Sequence, residues 1–492
     1  METARKQNLY EEVADSISNM VRCGTYRAGE RIPSIRAVSR QMRVSITTAM
    51  EAYRLLEDRG VVEARPQSGY YVRPVPANTI ARPDISKEEM NPVMCCVEEI
   101  VDMVFKDSMN PDFIQLGATI PNTELLPVDK LSRCLASSVR RKGDLSVSYS
   151  YPGDLKLRTL IARRAAMAGC SLAPDDIIIT AGCQEAAFLA LNAVCKPGDT
   201  VVIQSPAYFN HLQVMQNMNL KVVEIPSNPE DGISMDALRF VLEETAVKAC
   251  LLIPNFSNPL GCCMPDKNKA VLMKLLAGYD IPLIEDDING DLCFFHERPR
   301  VVKAFDDKGL VILCSSFSKT LAPGYRVGWI TPGRYKPAIE HLKVISSLST
   351  STPPQMAVAE FLAGGGYDHH LRRIRRIYAR QVSLLTDAVA RCFPEGTNIS
   401  RPEGGFSLWV EMPEYVDSIL LYEQARQNGI TIAPGPIFSV RQKFRNYIRL
   451  SAAFWSERTH NAIKKLGSLS AQMRKQRIVA ESAAGIRKNM VI

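Results

Sequence analysis

The sequence predicts an α/β protein in two parts: a small N-terminal winged helix-turn-helix, then a large domain built on a mostly parallel sheet. Residues 10–58 have apolar positions at helical spacing, interrupted by two short turns, and a short hairpin pattern follows. From about residue 91, apolar strands alternate with amphipathic helices, which is typical of a parallel sheet covered on both faces. Residues 73–84 contain several prolines and no periodicity, which indicates a linker.

Composition excludes several classes of protein. The 492 residues are 46% hydrophobic and 23% charged, which is ordinary for a globular chain of two or three domains. No apolar run is long enough to span a bilayer and the first residues show no hydrophobic leader, so we expect no membrane partner. The 13 cysteines have no zinc or redox spacing, which predicts reduced thiols and no metal site. A net charge of +8 is too small for a dedicated polyanion binder.

The N-terminal part nevertheless concentrates positive charge. Residues 22–43 contain six arginines and one acid. Ser34 follows a proline and predicts the N-cap of a second helix. A third helix is predicted over 46–58 and a hairpin over 61–72. This order is that of a winged helix-turn-helix. The alternative is a small structural domain whose arginines are only solvated.

The segments IPSIRAVS (32–39) and VSITTA (44–49) resemble the motifs of GntR-type DNA-binding domains. The resemblance implies that the second helix begins beside DNA phosphates and that the third enters the major groove. The residues it assigns to double-stranded operator DNA are Ser34, Arg36, Ser45, Thr47, Thr48 and Gly69. Two positions depart from the family. Ile46 stands where arginine is usual and cannot read a guanine edge as arginine does. The wing has Gln-Ser-Gly at 67–69 in place of Gly-x-Gly.

A lysine segment predicts the chemistry of the large domain. The apolar run 309–313 predicts a buried strand and leads into the hexapeptide Ser-Ser-Phe-Ser-Lys-Thr. The amine of Lys319 can form a Schiff base with an aldehyde. Ser316, Ser318 and Arg326 can hold a phosphate dianion. An aldehyde that carries a phosphate is pyridoxal 5'-phosphate (PLP), an electron sink. The alternative is a surface lysine after a serine-rich turn.

Roughly residues 110–460 resemble the fold-type I PLP enzymes, in particular the class I/II aminotransferases. The resemblance implies a large mostly parallel sheet domain and a smaller C-terminal α/β domain. It assigns further cofactor contacts to the phosphate, the pyridine face, the ring O3' and the pyridine nitrogen. Gly182, Cys183 and Gln184 are expected to contact the phosphate, and Tyr208 is expected to stack on the face of the pyridine ring. Asn258 is expected to donate to the ring O3', and Asp286 to face the pyridine nitrogen. The acids on either side, Glu285 and Asp287, are expected to face solvent or a turn.

The same resemblance implies two contacts outside the cofactor. Arg449, in the segment Tyr-Ile-Arg-Leu-Ser, is expected to bind a substrate α-carboxylate; the alternative is a structural salt bridge. Tyr149, or alternatively Tyr151, is expected to reach the cofactor of the partner subunit in a homodimer. The family usually has a tyrosine after the aspartate, but this chain has Ile288 and Asn289. That difference favours regulation over efficient transamination.

The order of domains resembles the MocR branch of bacterial regulators. We expect a GntR-type winged helix over 1–76, a linker over 77–92, an aminotransferase-like domain over 93–460 and a C-terminal helix with a basic tail over 461–492. The resemblance implies a cytoplasmic, PLP-dependent transcription regulator of bacteria, associated with the nucleoid when bound to DNA. It would sense PLP, or an amino acid or other amino compound, as an aldimine at Lys319.

Two alternatives stay open. The first is a working aminotransferase that converts amino acids to 2-oxo acids, so enzyme activity is undecided. The second is a DNA-bound scaffold with an inactive cofactor site, against which the intact Lys319, Asn258, Asp286 and Arg326 argue.

Overall fold

The computed structural model of the chain describes residues 9–23, 25–26, 29–58, 61–65, 68–72, 81–85, 89–95, 100–294 and 297–489, with the backbone alone over 475–489. The chain divides into two compact units, residues 1–79 and residues 80–492. Across the described ranges, no helix is both long and apolar enough to cross a membrane.

The first unit packs three helices against a hairpin. Its elements are α1 (Leu9–Arg22), α2 (Ile35–Gln41), α3 (Ile46–Asp58), β1 (Val62–Arg65) and β2 (Gly69–Val72). Ser34 caps α2, because its side chain accepts a hydrogen bond from the Ala37 N–H at 3.3 Å. The buried ring of Tyr53 on α3 packs edge-on against Tyr70 at 4.8 Å and its hydroxyl donates to the Pro33 carbonyl. The predicted winged helix-turn-helix is thereby confirmed.

The second unit contains most of the chain. Its helices are α4 (Ile100–Ser108), α5 (Val128–Lys142), α6 (Leu155–Ala165), α7 (Cys183–Val194), α8 (Phe209–Asn217), α9 (Met235–Glu244), α10 (Asp266–Tyr279), α11 (Lys336–Ser347), α12 (Thr352–Ala363), α13 (Gly366–Cys392), α14 (Ser418–Gln427) and α15 (Glu457–Asn489). Its strands are β3 (Val93–Met94), β4 (Ile114–Gln115), β5 (Ile178–Thr180), β6 (Thr200–Ser205), β7 (Lys221–Asn228), β8 (Gly232–Ile233), β9 (Val247–Leu252), β10 (Leu283–Asp286), β11 (Val311–Ser316), β12 (Gly328–Thr331), β13 (Asn398–Ile399), β14 (Ser407–Glu411), β15 (Ile430–Thr431), β16 (Ala433–Pro434) and β17 (Tyr447–Ser451).

Within the described residues, the large sheet has nine strands in the order β3-β7-β6-β9-β10-β11-β12-β5, with β8 paired to β7. The central strands β7, β6, β9, β10 and β11 run parallel. β12 pairs antiparallel with β11 and with β5, so β5 runs in the same direction as the central strands. Helices α7, α8 and α11 cover one face, and α9 and α10 cover the other. Because both faces are buried, most side chains of the central strands are apolar, as the sequence predicts.

A smaller antiparallel sheet lies toward the C-terminus, in the order β13-β14-β17-β16. Its central strand β17 carries Arg449, which pairs in register with Trp409 of β14 and Ala433 of β16. The side chains of α13, α14 and α15 share one core with this sheet. The mostly parallel sheet and the smaller C-terminal α/β part are the architecture that the sequence predicts.

Three boundaries differ in detail from the sequence pattern. Strand β11 begins at Val311, because Gly309 has φ +69 and a left-handed residue cannot continue a strand. Part of the predicted linker lies on the second unit, where the Ala81 carbonyl accepts a hydrogen bond from the Ile399 N–H at 3.1 Å. The last helix begins at Glu457, and one side of it contributes buried side chains as far as Met473.

Candidate functional site

The carboxyl edge of the large sheet brings the predicted cofactor residues together. Asp286 ends β10, Ser316 ends β11, and Lys319 follows shortly after it. Cys183 begins α7 directly after β5, and Tyr208 precedes α8 directly after β6. Ligands of such sheets bind outside the carboxyl ends of the strands, so one site is formed from segments that are distant in sequence.

Lys319 lies where a neutral amine is favoured. Its Nζ donates a hydrogen bond to the carbonyl of Thr119 and is 3.5 Å from the hydroxyl of that residue. Burial and the Arg449 cation lower the pKa of Lys319 to about 8, although the Asp286 carboxylate acts in the opposite direction. Part of the amine is therefore unprotonated near neutral pH, which is the state that attacks a carbonyl carbon.

Asp286 is an ionised carboxylate at the floor of the site. It accepts hydrogen bonds from the Cys183 thiol at 3.2 Å and from the Ile288 N–H at 3.0 Å, and His211 Nε2 lies 3.2 Å from its second oxygen. Burial alone would raise the pKa of Asp286, but His211, Cys183 and the Ile288 N–H hold it below its ordinary value. Such a carboxylate can keep a ring nitrogen protonated. His211 is absent from the predicted site; its only signal is its place one turn after Tyr208.

Tyr208 lies beside this carboxylate. Its ring contacts the His211 ring edge-on at 5.3 Å and Phe209 at 5.1 Å. Burial raises the pKa of Tyr208 to about 12, so its hydroxyl stays neutral at physiological pH. A neutral aromatic ring in this position can cover one face of a flat ligand.

An anion cradle forms where α7 begins. The Arg326 guanidinium donates to the Ala181 carbonyl at 2.7 Å and to the Ser318 hydroxyl at 3.2 Å. The Ser316 hydroxyl accepts the Ser318 N–H at 3.2 Å. Gly182 has φ +87, and a Cβ there would collide with the guanidinium. The helix N-terminus, with Cys183 and Gln184 as its first residues, adds a positive dipole end, so the cradle suits a phosphate.

A buried ion pair supports the cradle from behind. Glu185 accepts the Ala181 N–H at 2.5 Å and pairs with the Lys343 ammonium at 2.9 Å. Lys343 is 1% exposed and also donates to the hydroxyls of Ser347 and Thr350, both at 2.9 Å. These residues lie outside the predicted site, because only the packing of α11 against α7 joins them to it.

Arg449 is a buried cation without a carboxylate partner among the residues that the structure describes. Its guanidinium donates to the Asn258 side-chain oxygen at 2.9 Å and to the Gly117 carbonyl, but its Nε–H has no hydrogen-bond partner in this set. The rings of Phe438 and Phe209 lie 5.1 Å and 5.6 Å from it. Burial lowers the pKa of Arg449 to about 10. The site can therefore accept an anion, and the structural salt bridge considered above is not formed within the described residues.

The expectation for the acids beside Asp286 is wrong. Glu285 and Asp287 are both buried, at 0% and 2% exposure. Glu285 accepts the N–H groups of Val302 at 2.7 Å and of Lys303 at 3.0 Å. Asp287 forms an ion pair with Arg298. Partners from later in the chain bury these acids on the other side of the strand.

The structure also shows the contacts of Asn289, which stands where the family has a tyrosine, and the exposure of the two candidate tyrosines, Tyr149 and Tyr151. Asn289, one of the two residues found where the family has tyrosine, donates to the Phe256 carbonyl at 2.9 Å. Tyr149 is 80% exposed, whereas Tyr151 is 43% exposed and its hydroxyl lies 3.5 Å from the Glu340 carbonyl. Of the two, Tyr149 is the more exposed.

The residues predicted to contact DNA lie at the ends of two helices and on the hairpin. Ser34 and Arg36 are exposed at the start of α2, and Thr47 is exposed on the first turn of α3. Ser45 caps α3, because its hydroxyl accepts the Thr48 N–H at 3.0 Å and bonds the Thr48 hydroxyl at 2.8 Å. Gly69 begins β2 with φ +111, where a Cβ would lie 3.1 Å from Arg31 Nε.

Two known families match this chain. The family described as aminotransferase class I and II matches residues 111–466, and the family of bacterial regulatory proteins, gntR family, matches residues 9–72. A protein named uncharacterized HTH-type transcriptional regulator YjiR, from Escherichia coli K12, is 39% identical over 461 residues, which are 93% of this chain and 98% of that protein. Aromatic-amino-acid aminotransferase 1 of Thermococcus litoralis is 30% identical over 374 residues, which are 74% of this chain and 89% of that enzyme.

Solved structures show the same fold. The multiple substrate aminotransferase of Thermococcus profundus superposes with a TM-score of 0.71 at 27% identity, over 77% of this chain and 96% of that one. LysN, an α-aminoadipate aminotransferase of Thermus thermophilus complexed with N-(5'-phosphopyridoxyl)-L-leucine, gives a TM-score of 0.71 at 25% identity, over 76% of this chain and 95% of that one.

Proposed function

Because this chain belongs to the class I and II aminotransferase family and joins that domain to an N-terminal gntR-family domain, we propose that it is a transcription regulator of the MocR type. It binds operator DNA and responds to PLP, or to an amino compound that reacts at the same site. One observation carries the proposal: a winged helix-turn-helix and a full set of cofactor residues occur on the same chain. YjiR, which is named as a regulator, matches across both parts.

PLP is the cofactor of this family, and the residues of the site fit it. The cradle has room for an anion at Gly182, where a side chain would displace Arg326. The ionised Asp286 lies on the floor beside Tyr208 and His211. Lys319 supplies an amine with a lowered pKa. When bound, PLP supplies an aldehyde that reacts with amines and a ring that withdraws electrons.

Each side chain then has a distinct task. Arg326, Ser316 and Ser318 would hold the phosphate, and Asp286 would keep a proton at the ring nitrogen. The Asn258 amide NH₂ group has no hydrogen-bond partner within the described residues, so it can donate to a ring oxygen while Arg449 occupies its carbonyl. Lys319 would supply the amine that reacts with the cofactor aldehyde.

The effector class follows from Arg449. A buried guanidinium whose Nε–H lacks a partner among the described residues favours a ligand that brings a carboxylate. An amino acid satisfies both Lys319 and Arg449, because its amine and its carboxylate are attached to one carbon. We therefore place amino acids ahead of simple amines as effectors.

We infer that the working state is a homodimer. The exposed Tyr149 supports this, together with the neighbouring Val147, which is 88% exposed. A twofold dimer presents two DNA readers to paired half-sites. We also infer that the protein works in the bacterial cytoplasm and lies on the nucleoid when it binds DNA.

The experiment measures linkage between the two sites. An operator is selected from random DNA duplexes with the full-length protein loaded with PLP. A panel of L-amino acids is then titrated by the change in the visible absorption of the cofactor, with and without that operator. If the two sites are linked, operator DNA must change the affinity for the amino acid by the same factor by which the amino acid changes the affinity for DNA. A coupling free energy of about 1–3 kcal/mol corresponds to a factor of about 5–150. Equal dissociation constants with and without DNA would contradict the regulator.

A second function, transamination, is favoured by the intact Lys319, Asp286 and Arg449 and by the match to the Thermococcus enzyme. Ile288 and Asn289 argue against it, since no tyrosine hydroxyl follows the aspartate. Many turnovers of a 2-oxo acid per subunit, with no change in DNA affinity, would favour the enzyme over the regulator.

A further inference from the structure

Two large apolar side chains are exposed at the start of α3. Ile46 is 57% exposed and Met50 is 36% exposed. They lie four residues apart in one helix and therefore share a face. Ala49, Tyr53 and Leu56 lie three, seven and ten residues after Ile46, beside this pair, and are buried in the core of the unit. Ile46 and Met50 therefore lie at the edge of the buried side of α3 and stay exposed among the described residues.

The polar side chains of the same turn are mostly engaged. The hydroxyls of Ser45 and Thr48 bond each other at 2.8 Å, and Ser45 also accepts the Thr48 N–H. Ser45 is therefore occupied as a helix cap. The exposed side chains that remain on the first turns of α3 are Ile46, Thr47 and Met50.

The surroundings of this apolar pair are basic. Arg36 and Arg40 are exposed on α2, and Arg43 is exposed in the turn that leads into α3. No acid among the described residues forms an ion pair with any of these three arginines. An apolar protein surface would leave these cations without counter-charges, whereas DNA supplies phosphates for them. Charge complementarity therefore favours DNA as the occupant.

We propose that Ile46 and Met50 read the C5-methyl groups of thymines in the major groove. The proposal rests on the regulator function above and adds which bases the operator contains. Thymine is the unmodified base that presents a methyl group in the major groove. Against a guanine or cytosine edge, the same side chains would bury base donors and acceptors without partners. Ile46 thus replaces a guanine-reading residue with a thymine-reading one.

The test removes the methyl groups and leaves base pairing unchanged. Full-length protein selects an operator from random duplexes, and each thymine of the half-sites is then replaced in turn by deoxyuridine. We expect the Kd to rise roughly fourfold for each methyl group in contact, the factor that corresponds to one buried CH₂. The expected positions lie in both half-sites, since the dimer is symmetric.

Three variants assign the contact to its side chains. I46A and M50A should each lose the difference between thymine and uracil at one base pair, with little change in affinity for the uracil operator. R36A is the control: it should weaken both operators equally and keep the ratio between them.

The outcomes separate the inference from the function on which it rests. Equal affinity for thymine and uracil operators, or full discrimination in both I46A and M50A, would overturn the thymine reading while DNA binding stands. Failure to recover any duplex would overturn the regulator function itself, and the thymine reading with it.

Discussion

At the scale of single residues, two basic side chains decide what the site can bind. Lys319 and Arg449 are close enough that the arginine lowers the pKa of the lysine. Among the described residues, the hydrogen bonds of both go to carbonyl and hydroxyl oxygens and neither forms an ion pair. Lysine can respond to burial by losing its proton. Arginine keeps its charge and therefore needs an anion, which makes it the specificity residue of the pair.

Replacing Arg449 should lower the affinity for amino acids and leave the affinity for amines without a carboxylate nearly unchanged. In R449L, affinity for an L-amino acid should fall roughly 10–100-fold, since a charge-assisted pair to a carboxylate is lost. Affinity for the corresponding decarboxylated amine should change little. Both are measured by the shift in cofactor absorption. Equal losses for the two ligands would indicate that Arg449 only shapes the pocket.

Capture of PLP by the cofactor-free protein should depend on the pKa of Lys319. That pKa is lowered to about 8. The fraction of Lys319 in the neutral form therefore increases about tenfold per pH unit below pH 8 and levels off above it. The measurement is the rate of cofactor uptake against pH by stopped-flow absorption. In R449L the cation is gone, the pKa rises, and the midpoint should move to higher pH. The same midpoint in both proteins would show that Arg449 does not act on the lysine.

At the scale of elements, the cradle depends on how α11 packs against α7. Lys343 of α11 pairs with Glu185 of α7, and Glu185 holds the Ala181 N–H. The Ala181 carbonyl in turn accepts a hydrogen bond from Arg326. A buried charge pair therefore fixes the turn that receives the phosphate.

Breaking that pair should weaken phosphate binding selectively. In K343M, Glu185 loses its cation and the turn loosens, so we expect PLP affinity to fall about tenfold, as for one lost hydrogen bond. Affinity for pyridoxal, which has no phosphate, should stay the same. K336M is the matched control, because Lys336 lies on the same helix but makes only exposed contacts, with Glu340 at 3.9 Å and with the Asp175 carbonyl at 2.8 Å. If the losses for PLP and pyridoxal match, the pair does not act through the cradle.

At the scale of the whole molecule, the location of charge matters more than its sum. The chain carries a net charge of only +8, yet the exposed arginines of α2 and of the turn before α3 lie on the DNA-reading unit. Phosphate contacts release counterions, so these arginines should determine how steeply DNA affinity falls with salt.

The salt dependence of DNA binding should identify those contacts. R36A should reduce the slope of log affinity against log salt by about 0.9 and weaken all sequences alike. R334A removes the same charge from the second unit, where Arg334 pairs with Asp280 at 2.8 Å, and should leave the slope unchanged. Fluorescence anisotropy over a range of salt concentrations measures both. Equal changes of slope would show that net charge, and not the reading surface, drives binding.

Local patterns in the sequence predict most of the helices and strands and the region of the site. Helix α3 occupies 46–58, Ser34 caps α2, and Lys319, Asp286 and Arg326 lie at the edge where strands end. These features are encoded locally: a cap, a helical period or an apolar run that ends in a polar residue needs only its neighbours in sequence.

Which side chains are buried, and what they contact, depends on how distant segments pack in the folded chain. His211 beneath Asp286, Thr119 beside Lys319 and Lys343 behind Glu185 come from segments far from their partners in the chain. Glu285 and Asp287 look like surface acids in the sequence and are buried, because the segment around 298–303 supplies their partners. Burial depends on what packs from elsewhere in the chain, and a linear pattern does not contain that information.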